Sequence, residues 1–402
     1  MSHAVDRQID LSTPQELASA LSRLRGRALA VGVVALAVAV ILGIFAPAAF
    51  FQAYLWSYMF YIGLSLGCLA LLMLQYLTGG AWGMVVRRAC EAAARTLPLL
   101  AVLFVPIAVG IPSLYHWSHA DAVATDEILQ HKSLYLNIPF FLARAAIFFA
   151  GWLGLAWILN RSSREVEETG SPVAYRRLRV VSAAGLIFYA FSVTFMSVDW
   201  VMSVDAHWFS TMFGLLFVAG QVLSALAFLI AALVLLSRWR PFAAVLTARH
   251  MHDLGKLMLA LVMVWAYFSF SQFLIIWAGN LPEEIPWFLE RLRGGWQYVG
   301  LLLVVFHFAL PFALLLSRDL KRNFRLVSLV AALVLAMRFV DLFWLVAPSF
   351  HHGHFALSAL DALLPVGLGG VWFFYFARQL ALRPLLPLSD PHLEEALEHG
   401  RE

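Results

Sequence analysis

Ten apolar runs separated by short polar connections make up most of the chain: residues 28–46, 54–77, 96–111, 134–159, 180–201, 208–236, 254–278, 296–316, 326–347 and 356–380. Their lengths lie near the roughly 20 residues that a helix needs to cross a hydrocarbon core of about 30 Å. The pattern predicts an all-α polytopic membrane protein of about ten transmembrane helices. Its transmembrane domain covers 28–380, with an N-terminal segment over 1–27 and a C-terminal tail over 381–402, both cytoplasmic. In that N-terminal segment Ser12, Thr13, Pro14, Gln15 and Glu16 form a helix-start signal ahead of Arg23, Arg25 and Arg27. The segment is too polar and too long for a signal peptide, and the first run reads as a retained span. Pro98, Pro106, Pro112, Pro311 and Pro365 fall inside runs or at their ends, where they predict kinks.

Basic residues orient the runs. Arg87, Arg88 and Arg95 follow the second; Arg161, Arg164, Arg176, Arg177 and Arg179 follow the fourth. Arg238, Arg240, Arg249 and Lys256 follow the sixth, and Arg318, Lys321, Arg322 and Arg325 the eighth. The alternate connections carry little beyond Lys132 and the pair Arg291 and Arg293. The positive-inside rule then puts both termini in the cytoplasm. The junction over 197–214, the loop over 116–132, the segment over 282–293 and the cluster His351, His352 and His354 face outward.

Composition narrows the function classes. The chain is 62% hydrophobic and 13% charged, with a mean hydropathy of +0.81; soluble domains carry about 25% charged residues. The net charge of +4 reflects loop arginines and gives no reason to expect nucleic acid as a partner. Cys68 and Cys90 stand alone, so the chain has no covalent haem c motif and no cysteine set for an iron–sulfur cluster. A haem b needs two deep histidines on facing helices, and His307 has no second histidine at its depth.

Charges within or beside spans cost about 2.5–3.5 kcal/mol or more each in lipid, which makes them candidates for function. Asp205 and His207 form a relay from a quinol hydroxyl to the outer water on one reading; on the other, Asp205 caps the sixth helix and His207 is a wet interfacial side chain. Arg338 and Asp341, three apart, share a face and read as a structural ion pair ahead of a relay. Arg144 has no local acidic partner, and Asp199 is its counter-ion on depth alone.

His307 reads as a hydrogen-bonded core residue or a member of a proton wire. The seventh helix opens with His252, Asp253 and Lys256 and carries Tyr267, Ser269, Ser271 and Gln272 deeper in. Tyr267 and Ser271 share a face, with Lys256 behind them on a similar bearing. This is the shape of a half-channel entrance, or of an interfacial helix start followed by polar glue between helices. Residues 280–291 predict a short interfacial helix whose acidic start contacts a neighbouring subunit. The histidine cluster reads as a solvated loop, since it lacks a second ligand set; no metal site and no catalytic residue is assigned.

Three stretches carry a family resemblance: Ser203-Val204-Asp205-Ala206-His207-Trp208-Phe209-Ser210-Thr211; His252-Asp253-Leu254-Gly255-Lys256; and Phe268 to Trp277 running into Gly279-Asn280-Leu281-Pro282-Glu283-Glu284-Ile285-Pro286-Trp287. They resemble the ActF-type, NrfD/polysulfide-reductase-like integral membrane subunit of bacterial alternative complex III, a quinol:cytochrome c oxidoreductase. The resemblance implies a pair of four-helix bundles with flanking helices in the bacterial inner membrane. It also implies a sister NrfD-like subunit, an iron–sulfur/molybdopterin-like subunit and haem c subunits as partners. Haem c and iron–sulfur clusters then sit in those partners, with menaquinone or ubiquinone as the diffusible cofactor. The residues expected near quinol or a proton path are Asp199, Asp205, His207, His252, Asp253, Lys256, Tyr267, Gln272 and His307. Two other classes stand beside this one: a scaffold that conducts nothing, and a stand-alone proton-coupled secondary transporter built on inverted repeats.

Overall fold

The computed structural model describes residues 14–351, 353–387 and 390. Ten helices in it are long and apolar enough to cross a membrane: α1 (Gln15–Phe45), α2 (Pro47–Thr78), α3 (Ala81–Val109), α4 (Ile138–Thr169) and α5 (Pro172–Val204), then α6 (Phe213–Leu236), α7 (Ala248–Gly279), α8 (Trp296–Leu316), α9 (Phe324–Ser349) and α10 (Leu360–Leu380). The chain is an all-α polytopic membrane protein.

Two starts lie furthest ahead of the sequence pattern. α1 begins at Gln15, with Pro14 at its N-cap position, so Arg23, Arg25 and Arg27 ride on the same helix as the first apolar run; Ser12 and Thr13 lie outside the described residues. α3 begins at Ala81, so Arg87 and Arg88 are not loop charges but buried helical ones.

Packing follows the apolar faces. α2, α3, α4 and α5 form one ring of neighbours and α6, α7, α8 and α9 a second, with α2 lying directly against α6. α1 and α10 pair with each other and flank α2. Their contact is close because of glycine: a Cβ on Gly32 would stand 2.9 Å from the Gly367 carbonyl oxygen and from the Gly370 Cα. Without a hydrophobic force between helices in lipid, such small residues let backbones approach and gain dispersion contacts. α2 and α6 are both even-numbered spans and run in the same direction, so the second ring repeats the first without inversion.

Proline breaks two spans. α3 is interrupted around Arg95–Thr96 and Leu103–Phe104, next to segments that carry Pro98 and Pro106 as their second residues. Hydroxyls from α2 answer the loosened carbonyls: Tyr58 donates to Leu100 O at 2.9 Å and Tyr54 to Leu103 O at 2.7 Å. α8 widens into a π turn over Val304–Ala309, just before Pro311. Pro311 has no N–H for the carbonyl four residues back, which is that of His307.

Candidate functional site

The wide turn of α8 delivers His307 into a polar group shared by α5 to α9. His307 is 0% exposed, and the Trp265 indole from α7 meets its ring edge to face at 4.3 Å between centroids. Trp265 Nε1 donates to Asp341 Oδ2 at 3.2 Å, and the same carboxylate pairs with Arg338 Nη1 one turn earlier on α9. The Arg338 guanidinium lies against the backbone of α6 at Gly220, where any Cβ would strike it, and 5.6 Å from the Phe217 ring. The next residue, Gln221, accepts from the Tyr189 hydroxyl of α5 at 3.0 Å.

Not every group here is satisfied. Both ring nitrogens of His307, Arg338 Nη2 and Gln221 Nε2 are buried without a hydrogen-bond partner among the described residues. Each such orphan costs about 1–3 kcal/mol unless something hydrogen-bonds it. A histidine, an ion pair and an amide with spare donors and acceptors form a set that can hand protons on. π turns inside α-helices are frequent at functional positions.

The second buried pair is closed. Arg144 Nε donates to Asp199 Oδ2 at 2.7 Å and Nη2 to Oδ1 at 3.0 Å, a two-pronged bridge between α4 and α5. The Arg144 Nη1 donates to Tyr135 O at 3.0 Å, and the guanidinium lies 3.8 Å from the Tyr135 ring centroid. All three guanidinium nitrogens are occupied, so the group acts as a clamp.

At the junction after α5 the expected cap is absent. α6 begins at Phe213 with Met212 at the N-cap position, and Asp205 ends a short turn over Met202–Val204 instead. His207 pairs with Asp126, Nε2 to Oδ2 at 2.6 Å. Asp126 caps the helix Glu127–Lys132 through Ile128 N and Leu129 N, and the His207 hydrogen bond is the main cause holding its pKa below the usual carboxylate value. Lys132 Nζ donates to Ala206 O at 2.5 Å; burial pulls its pKa below the ordinary lysine value, with Asp205 and Asp126 opposing. A cavity of about 320 Å³ opens here between Lys132, Tyr135, Met202 and Trp208. Trp208 stacks on Trp287 at 4.4 Å, and buried Arg291 lies 3.4 Å from the Trp287 ring centroid.

The seventh helix sends its polar side chains to different sides. It begins at Ala248, capped by Thr247 and His250, one turn before His252 and Asp253. Tyr267 is 64% exposed on the outside of the bundle, whereas Gln272, five residues on, is buried and accepts from Ser210 Oγ at 3.2 Å. Five residues rotate a helix by about 140° from its starting bearing, so the two cannot share a lining. Ser269 and Ser271 are half-buried. Lys256 is exposed and pairs with Asp253 at 2.6 Å, with His252 3.9 Å from the same oxygen. The interfacial helix runs over Ile285–Arg291. His351 and His354 sit in the loop before α10, and His352 lies outside the described residues.

Sequence reading missed a charged hub at the arginine-rich end. Glu91, 2% exposed, accepts from Arg88 at 2.7 Å, Arg383 at 3.2 Å, Ser163 at 2.5 Å and Tyr76 at 3.3 Å. Arg88 also pairs with Glu167, and Arg87 with Asp390. The signal was present as Arg88 and Glu91 three apart in an alanine-rich helix. Gln221, which only Ser224 joins as a polar residue within α6, was a further unread signal.

No family model matches the chain, and no curated protein matches it.

Proposed function

We propose that this chain is an ActF-type membrane subunit of a quinol:cytochrome c oxidoreductase of the alternative complex III class, contributing proton conduction, quinol contact or both. The reading places it in a bacterial inner membrane with both termini cytoplasmic and leaves electron transfer to haem c and iron–sulfur partners. The observation that carries the proton-handling part is the buried group of Arg338, Asp341, Trp265 and His307, with orphan nitrogens on Arg338 and His307. Support for the complex comes from the three motif stretches; the second and third lie at the two ends of α7.

Extraction from the native membrane in mild detergent tests the assignment. The chain is expected to co-purify with haem c and iron–sulfur subunits and with quinol:cytochrome c activity; a chain that purifies with neither overturns it. Within the assembled complex, Asp341→Asn and His307→Phe should each lower turnover or proton release. Normal turnover and release in both variants would remove conduction from the proposal.

The scaffold reading is favoured by one observation, the complete pairing of Arg144 with Asp199. It predicts that charge-neutral replacements reduce assembly without changing the turnover of what assembles. The transporter reading lacks such support. Its broken helices should occupy matching positions, but α3 and α8 are the second member of one ring and the third of the other.

A further inference from the structure

At the arginine-rich end, outside the bundle interior, α3, α4 and α10 enclose a cavity of about 830 Å³. Arg95, Arg161, Arg164 and Arg383 stand around it. Asn160 fixes two of them: Arg95 Nε donates to its Oδ1 at 2.7 Å and Arg383 Nη2 to its carbonyl at 3.0 Å. Arg161 lies 5.3 Å from the Trp157 ring centroid, and neither Arg161 nor Arg164 has an acidic partner among the described residues. Of the acidic side chains in the wall, Glu165 is engaged by Arg177 at 3.1 Å, which leaves Glu168 against four guanidinium groups. Arg383 is partly offset by Glu91. Burial is the first cause holding the Arg383 pKa below the ordinary arginine value, with the positive charges of Arg88 and Arg164 adding to it.

The cavity is not polar throughout. On α4, Leu153 precedes Arg161 and Arg164 by a distance of about 12–16 Å at 1.5 Å per residue, which takes the wall from headgroup depth into hydrocarbon. Pro98 and Ala156 continue that apolar wall. Trp157 stands between the two regions, at the level where aromatic side chains settle in an interface.

We propose that this cavity binds an anionic phospholipid, with the phosphate held by Arg95, Arg161 and Arg164 and an acyl chain lying along Pro98, Leu153 and Ala156. Guanidinium groups recognise phosphate through paired, charge-assisted hydrogen bonds. Basic pockets between spans bind such headgroups. A free phosphate has no use for the apolar wall, and an acidic protein segment cannot follow it into hydrocarbon without stranding its backbone polar groups.

The test uses the full chain in neutral detergent, titrated with dioleoylphosphatidylglycerol or dioleoylphosphatidylcholine and read by native mass spectrometry. Arg161→Gln/Arg164→Gln removes two exposed charges from the cavity. Arg176→Gln/Arg179→Gln removes two exposed charges at the same end outside it. The cavity variant should lose affinity for phosphatidylglycerol by about tenfold or more, and the control by about twofold or less. Phosphatidylcholine should bind weakly to all, and millimolar inorganic phosphate should not displace the lipid. Equal losses in the two variants, equal binding of phosphatidylcholine, or displacement by phosphate alone would each overturn the proposal. So would failure of phosphatidylglycerol to bind the unmodified chain.

Discussion

The indole of Trp265 and the imidazole of His307 meet edge to face, with centroids 4.3 Å apart and planes at 82°. Because Trp265 also donates to Asp341 at 3.2 Å, one side chain of α7 ties α8 to α9. Trp265→Phe keeps an apolar ring against His307 and removes the donor. Stability should fall by about 1.5–3 kcal/mol, the range for a hydrogen bond to a charged group. A double-mutant cycle with Asp341→Leu, followed by thermal unfolding in detergent, checks this: the combined loss should be less than additive by about 1 kcal/mol. Strict additivity would show that the two side chains are not coupled.

Gly220→Ala sets a methyl group against the Arg338 guanidinium, where the backbone of α6 now leaves room. Overpacking of this kind costs about 1–3 kcal/mol. A lowered melting temperature with helix content retained is the expected result, and an unchanged one would mean that Arg338 has another place to go.

For the closed pair, Arg144→Gln should be more damaging than Arg144→Gln combined with Asp199→Asn. Removing one partner strands a buried charge at a cost of about 3–5 kcal/mol, whereas removing both charges strands neither. Folded yield in membranes, measured for the two variants side by side, decides the point.

The Asp126 cap gives a pH signature. Its folded pKa lies below the ordinary value, so its stabilisation is present above the unfolded pKa of about 3.9 and is lost as pH falls through the folded one. The protection of the Ile128 and Leu129 amides, relative to the exchange of an unfolded chain at the same pH, should therefore hold down to about pH 4 and fall below it. Asp126→Ala should remove that protection at every pH.

Orientation can be read with thiol reagents, because the native Cys68 and Cys90 are both buried. Cysteine at Arg322 should react with an impermeant maleimide only from the cytoplasmic side, and cysteine at Leu281 only from outside. The reverse pattern would invert the topology proposed above.

The spans were legible because hydrocarbon thickness dictates their length, and the counter-ion of Arg144 was named from depth, where the two side chains meet. What escaped reading depended on partners distant in sequence. Arg87 and Arg88 look like loop charges until Asp390 and Glu167 arrive beside them. Asp205 looks like a cap because the apolar run begins three residues later, at Trp208, yet the stretch before Phe213 is held as a turn by Lys132 and Asp126, from before α4. A four-residue spacing put Tyr267 and Ser271 on one face but carried no information on which way the face points, and Tyr267 points outward.

The central position of α2 bears on how the protein is made. Ser65 bonds Thr96 on α3 at 2.7 Å, and the Trp372 indole of α10 reaches both hydroxyls, at 2.9 and 3.1 Å. Tyr61 donates to Pro365 O, also on α10, at 2.7 Å. Ser65 is therefore met as soon as α3 arrives, whereas the Tyr61 hydroxyl waits for α10. Until α10 is in place, α2 sits in the bilayer with the Tyr61 hydroxyl turned toward lipid or an insertion chaperone, and a nascent chain stopped before Leu360 should be more readily degraded than one that includes α10.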